Sequence, residues 1–437
     1  MPKFFFVFWV SEVKNHSKLI LGSVFKTNLG RVLCSNKLLT ELMSWKSNKT
    51  KKQREFFLDE KILVKGIEKS LSTAIKELQK MKAKKILVQI PEGLKENSDF
   101  IIDFLENKSS EGSSFEVILS MDPCFGACDI KEDESKRLGC DAVLHLGHSP
   151  FVEGLKNVVY APIEFEVNEK KVIELADKTM KLIQTQEQEK NQTKEKNQTK
   201  EKQNNSSKKI NVCVVATIQN LGMIKIFKKV FSENTKNKKE FNDFEINIVE
   251  THGKRVNDGQ VLGCNYSSVA NNANYVVYIG EGFFHPLGIH YSTKANVIIA
   301  NPSEETVIML GEKEKKVFLS RRINAICSAQ QFKNFAIIVS TKMGQNRIKD
   351  AIEIKKKIEN SKLENSFEKR KAIIVSLDYV SQSNLLGLKA DCFIITACPR
   401  LIFDDWQAFK KIVLAKSEVD YLVGKKKIED YELDKVY

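Results

Sequence analysis

Three times along the chain, short apolar runs rich in β-branched residues recur in the same order. The first set is "KKILVQIPEG" (84–93), "FEVILSMDP" (115–123) and "DAVLHLGHSP" (141–150). The second is "INVCVVATIQN" (210–220), "FEINIVETHG" (244–253) and "NYVVYIGEGFFHP" (274–286). The third is "FAIIVSTKMGQ" (335–345), "KAIIVSLD" (371–378) and "DCFIITACPR" (391–400). Short, continuously apolar runs fit strands buried on both faces, and helical patterns between them make such strands parallel. Before the first run, residues 62–82 place Ile67, Leu71, Ala74, Ile75, Leu78 and Met81 on one helical face. The chain is therefore expected to fold as three similar α/β domains, each a parallel sheet flanked by helices. Polar and glycine residues follow the strand C-terminal ends, where open parallel sheets bind ligands.

The expected boundaries are an extension over 1–57, domains over 58–180, 210–310 and 311–437, and a linker over 181–209. The linker is read from "TQEQEKNQTKEKNQTKEKQNNSSKK" (185–209), which lacks apolar residues and reads as a solvated linker or loop. "KFFFVFWV" (3–10) is far shorter than the roughly 20 residues that span a bilayer. No membrane association is expected, and the location is expected to be cytoplasmic.

The net charge is +14, yet only nine of the 70 basic residues are Arg. Lysine coats solvated faces, whereas arginine forks grip phosphate, so direct nucleic-acid binding is not expected. Nine cysteines in 437 residues are too few for a disulfide scaffold and suit reduced thiols. Their positions divide them. Cys213 and Cys392 lie within strands, Cys140 opens one, Cys327 lies in a helical stretch and Cys34 in the extension; buried structural cysteine explains the first four. Cys124, Cys128, Cys264 and Cys398 lie in loops at strand ends, at least one per unit. Three units facing one another can each give a thiolate to a metal or an iron–sulfur cluster, leaving one position open. The alternatives fit less well. A C-x-x-C redox pair is absent, and a zinc ribbon needs a second close pair. His145 and His148 offer nitrogens, but histidines at strand ends are common.

"QIPEGL" (89–94), "DPCFGACD" (122–129), "LGCN" (262–265), "STKMGQNR" (340–347) and "ACPRL" (397–401) together resemble the archaeal diphthamide synthase radical enzymes, the 2-(3-amino-3-carboxypropyl)histidine synthases. The resemblance covers residues 60–437 apart from the low-complexity insert. It implies three α/β domains around a 4Fe–4S cluster held by Cys128, Cys264 and Cys398, with Cys124 left as a spare thiol. It also implies a homodimer, S-adenosylmethionine as co-substrate and translation elongation factor 2 as protein substrate; the electron donor is unknown. The aminocarboxypropyl group would pass to an imidazole carbon of one histidine. Candidates for holding S-adenosylmethionine are Gln89, Glu92 and Gly93, then Glu281 and His285, then Gly344, Gln345 and Arg347. Gly93 would allow close backbone approach, and Arg347 would fork onto the methionine carboxylate. Asp404 and Asp405 would orient the last cysteine loop or cap a helix. A hydro-lyase resembling quinolinate synthase, which also takes one cysteine from each of three domains, is the alternative. A non-catalytic partner subunit is a third reading.

Overall fold

The computed structural model describes residues 60–107, 114–197, 208–236, 244–362, 368–403 and 406–431. The extension over 1–57, with Cys34, lies outside the described residues, as do Asp404 and Asp405.

The chain enters through helix α1 (Glu60–Lys80). Ile67, Leu71, Ala74, Ile75 and Leu78 form its buried face, at the expected helical spacing. Met81 departs from expectation. It lies past the last helical residue and is exposed, and the chain turns away at Lys82 with φ 56°.

The first sheet has strands β1 (Lys85–Gln89), β2 (Glu116–Ser120), β3 (Ala142–Leu146) and β4 (Val158–Ala161), in the order β2-β1-β3-β4. The second has β5 (Lys208–Ala216), β6 (Phe244–Ile248), β7 (Tyr275–Ile279), β8 (Asn296–Asn301) and β9 (Thr306–Met309), in the order β6-β5-β7-β8-β9. The third has β10 (Asn334–Ser340), β11 (Lys371–Leu377), β12 (Cys392–Ile395) and β13 (Ile412–Ala415), ordered β11-β10-β12-β13. All neighbours pair in parallel except β8 with β9. The three sheets thus share one winding, and the second adds an antiparallel edge.

Strands such as β3 and β7 are buried along their whole length, because apolar clusters cover both faces of each sheet. The fourth strand of each sheet, and β9, were not expected.

The low-complexity stretch differs most from expectation. Helix α2 (Glu169–Asn197) runs through residues 185–197 instead of a solvated loop. Lys, Glu and Gln are good helix formers, so this composition can extend a helix that burial has already started. Val172, Leu175, Ala176, Met180 and Ile183 supply that burial against the second sheet. Farther along, the carboxylate of Glu187 accepts a hydrogen bond from the Tyr275 hydroxyl at 2.6 Å, and Lys190 Nζ donates to that hydroxyl at 2.8 Å. Residues 169–180 therefore pack with the second sheet, not with the first domain to which the sequence reading gave them.

Helix α3 (Glu312–Ala329) packs on the third sheet and buries Arg322 there. Arg322 Nε and Nη2 donate to both carboxylate oxygens of Glu418, at 2.8 and 2.6 Å. Glu418 also accepts from the Tyr431 hydroxyl and the Ala415 amide. Removing one partner of such a pair strands the other charge away from water. Glu418→Ala should therefore destabilise the fold by about 3–5 kcal/mol. The check is the fall in urea midpoint.

Candidate functional site

The first-strand loops, the second-strand loops and the β12 loop meet at one place. Cys128 lies in the turn after β2, where the Asp129 amide donates to the Gly126 carbonyl at 3.1 Å. Three contacts from the third unit seize this turn. The Gly344 amide donates to the Cys128 carbonyl at 2.9 Å. Gln345 Nε2 donates to Cys128 Sγ at 3.1 Å. Lys342 pairs with Asp129, and each side chain is less than a tenth exposed. Lys131 adds a second bridge, to Asp378 at 3.2 Å.

Gly344 is where close backbone approach matters. A Cβ there would lie 2.6 Å from Cys128 Cα and 2.9 Å from its carbonyl oxygen. At Gly93 a Cβ would meet nothing, so packing within the chain does not require glycine there.

Cys264 lies in the long loop after β6, between Leu262 and Asn265, whose backbones bond to each other. Phe284 fixes this loop against the third unit. A Cβ on Gly263 would collide with its ring, and the Arg400 guanidinium lies 5.3 Å from the ring centroid. Arg400 follows Cys398 by two residues. The Leu401 amide donates to the Cys398 carbonyl at 3.2 Å.

The Cys264 thiol lies within electrostatic range of both Cys398 and Cys128. Burial raises the pKa of Cys264, and the nearby Cys398 and Cys128 raise it further; the Arg347 guanidinium acts the other way. Burial also raises Cys128, while the amide hydrogen of Gln345 opposes that rise. Among the described residues no disulfide forms. Sulfur donors from loops of all three sheets, two of them strongly desolvated, beside an arginine and an amide donor, suit a soft metal group. A bound metal or cluster would stabilise the thiolate forms that burial alone disfavours.

The other expected site residues divide. Gln345 and Gly344 touch Cys128 directly, and Arg347 is close enough to Cys264 to act on its charge. Gln89 is buried beneath the cysteine turn, with Nε2 donating to the Asp129 carbonyl at 2.6 Å and Oε1 facing His145. Glu92 accepts from the Cys124 amide at 3.2 Å, and its own amide donates to the Cys124 carbonyl. These two residues position the loop. Glu281 is paired with Ser303 on the outer rim of the second sheet. His285 Nδ1 lies 3.1 Å from the Tyr278 hydroxyl, and its ring meets Phe284 edge-on. Lys342, Asp129 and Phe284 were not expected in the site. The sequence offered one hint, since Asp129 and Lys342 lie inside the quoted motifs and Phe284 lies at the end of a quoted strand run.

The family model described as "Putative diphthamide synthesis protein" matches residues 90–432. The chain belongs to this family. The 2-(3-amino-3-carboxypropyl)histidine synthase of Pyrococcus horikoshii is 30% identical over 368 residues, covering 84% of this chain and 92% of its own. The mouse protein, named as subunit 1 of the same synthase, is 24% identical over 78% of this chain and 68% of its own. The crystal structure of Dph2 from Pyrococcus horikoshii with 4Fe-4S cluster superposes with a TM-score of 0.66 at 29% identity, covering 83% of this chain and 92% of that one. This family is one of transferases acting in diphthamide synthesis, and the chain is an enzyme of that class. That decides between the transferase and the hydro-lyase.

Two outcomes follow from the packing. Gly344→Ala should cost about 1–3 kcal/mol through overpacking, whereas Gly93→Ala should stay within about 0.5 kcal/mol. Paired urea titrations check this. His285 gives a pH signature, because burial first and the Arg400 charge second bring its pKa down to about 4. In an unfolded chain histidine titrates near 6.5, so as pH falls the unfolded state takes up its proton first. This contribution is complete above about pH 6.5 and is lost as pH falls toward 4, by up to about 1.4 kcal/mol per pH unit. His285→Gln should flatten that part of the stability–pH curve.

Proposed function

We propose that Cys128, Cys264 and Cys398 hold a 4Fe–4S cluster. With it, the enzyme would transfer the 3-amino-3-carboxypropyl group of S-adenosylmethionine to a histidine imidazole carbon of translation elongation factor 2. The observation that carries this reading is that Cys264, from the second unit, lies within electrostatic range of Cys128 from the first and Cys398 from the third. The solved relative with a 4Fe-4S cluster supports it. Three protein ligands leave one iron for the amino and carboxylate groups of the co-substrate. A bound cluster would supply the electron that cleaves a carbon–sulfur bond of the sulfonium.

The chain's own residues supply position and charge. Gln345 donates to the Cys128 sulfur, which orients that ligand as an outer-shell partner. Arg347, beside Cys264, provides a guanidinium that suits a carboxylate in a bidentate pair. The ion pair of Lys342 and Asp129 seals the turn beneath Cys128, so the sulfur keeps its orientation when substrate enters. Which bond breaks is set by orientation, since the three carbon–sulfur bonds of the sulfonium are of comparable strength; the carboxylate contact therefore bears on product identity.

Anaerobic reconstitution with iron and sulfide should give a brown protein with 4Fe–4S absorbance. Cys128→Ala, Cys264→Ala and Cys398→Ala should each lose it. Retention of the full cluster by all three variants would sink the assignment. With reduced enzyme, label in the aminocarboxypropyl carbons should pass to elongation factor 2, and label in the adenosine should not.

A further inference from the structure

Cys124 is the loop thiol that the three-cysteine site does not use, yet it is completely buried. Two histidines accompany it. One ligand atom each from Cys124, His145 and His148 lie within 4.8 Å of one another. These residues come from the C-terminal edge of the first sheet, Cys124 from the loop after β2 and the histidines from β3 and its end, with β1 between the two strands. We propose that they form a second metal site, for a zinc-class dication.

The hydrogen bonds settle which histidine nitrogen is available. Gln89 Nε2 donates to the Asp129 carbonyl, so its Oε1 faces His145 Nδ1 at 2.9 Å and also accepts the Lys131 amide. An amide oxygen only accepts, so His145 Nδ1 carries the proton and Nε2 presents a lone pair. That lone pair accepts a hydrogen bond from His148 Nδ1 at 3.1 Å, and metal binding would shift the His148 proton to its Nε2, freeing Nδ1 as the ligand. Two imidazole nitrogens on a tetrahedral zinc, each about 2.0–2.1 Å from the metal, are about 3.3 Å apart. The apo spacing is thus already close to that of a bound pair. An imidazole whose remote N–H is held by a carbonyl is the usual arrangement of a metal-bound histidine, and Gln89 provides it.

Burial supports the same assignment. It brings His145 down to about 3 and His148 to about 4, so both rings are neutral ligands at physiological pH. Tyr160, the cross-strand neighbour of His145, closes one side of its ring edge-on at 5.7 Å. Both backbone groups of Cys124 are tied to Glu92, which fixes where the thiol sits. Binding would release the Cys124 thiol proton and involves no change of oxidation state. A thiolate with imidazoles selects zinc over magnesium or calcium. Because the loop that carries Cys124 ends in Cys128, a metal here would anchor the base of the larger site.

The test uses the full chain with Cys128→Ala, Cys264→Ala and Cys398→Ala combined, which removes the other sulfur ligands. This protein should retain about one zinc per chain after dialysis. With cobalt(II) it should show a thiolate charge-transfer band and the visible bands of a tetrahedral ion. Adding Cys124→Ala or His148→Gln should abolish both signals, and Gln89→Ala should weaken zinc affinity by about 10–100-fold. His148 is only partly buried, so its variant serves if Cys124→Ala fails to fold. Absence of stoichiometric zinc in the triple variant, or persistence of the cobalt bands without Cys124 or His148, would overturn the proposal. The result is independent of whether the three-cysteine site holds a cluster.

Discussion

The ion pair of Lys342 and Asp129 is the interaction on which the rest of the site depends. It joins the end of β10 in the third sheet to the residue next to Cys128 in the first. Two charges taken from water cost several kcal/mol each unless they meet good partners. Burial raises the Asp129 pKa, and the ammonium of Lys342 opposes it. If the two units separated, Lys342 would lose this partner and Asp129 would keep only the longer contact to Lys131, at 3.9 Å. The Gly344 and Gln345 contacts to Cys128 lie within three residues of that lysine, so the same constraint sets their register.

The three sheets repeat a winding order but do not repeat a site. Cys128 and Cys264 follow the second strands of their sheets, whereas Cys398 follows the third strand of its own. The matching loop of the third unit, residues 378–391, has no cysteine. Its Tyr379 instead stacks on Phe125 of the first cysteine loop, with centroids 6.2 Å apart. The pseudo-repeat supplies three rigid platforms, and the loops on them have diverged into different jobs. Rigid strand ends with variable loops are the general reason that such sheets host chemistry.

Much of this was legible in the sequence, for a physical reason. Strands buried on both faces leave continuous apolar runs, and nine of these were read at the positions where they occur. The strands missed were mostly those of four residues, such as "VVYA" and "IVLA", too short to separate from a buried turn. The helix through residues 185–197 was missed because its anchor is remote: Tyr275 lies on another strand, and nothing in a local window reveals it. The thiols were legible because loop position and context separated them from core cysteines. The pairing of Lys342 with Asp129 was not, since an ion pair more than two hundred residues apart in sequence leaves no local pattern. Gln89 and Glu92 also hold the cysteine loop, a task the sequence did not reveal, because turn residues that bind a ligand and turn residues that bind a loop look alike in sequence.

The order of the sheets along the chain has a consequence for biogenesis. During synthesis the first two sheets emerge with two of the three thiols and with Asp129, whose closer partner, Lys342, has not yet been made. Only the third sheet brings Cys398, and the same sheet brings Lys342. Neutralisation of the carboxylate and completion of the sulfur set therefore arrive together. A partly made or damaged chain lacking that sheet would hold Asp129 without its closer lysine beside an incomplete set of thiols. The architecture links assembly of the three-thiol cluster of side chains to completion of the fold.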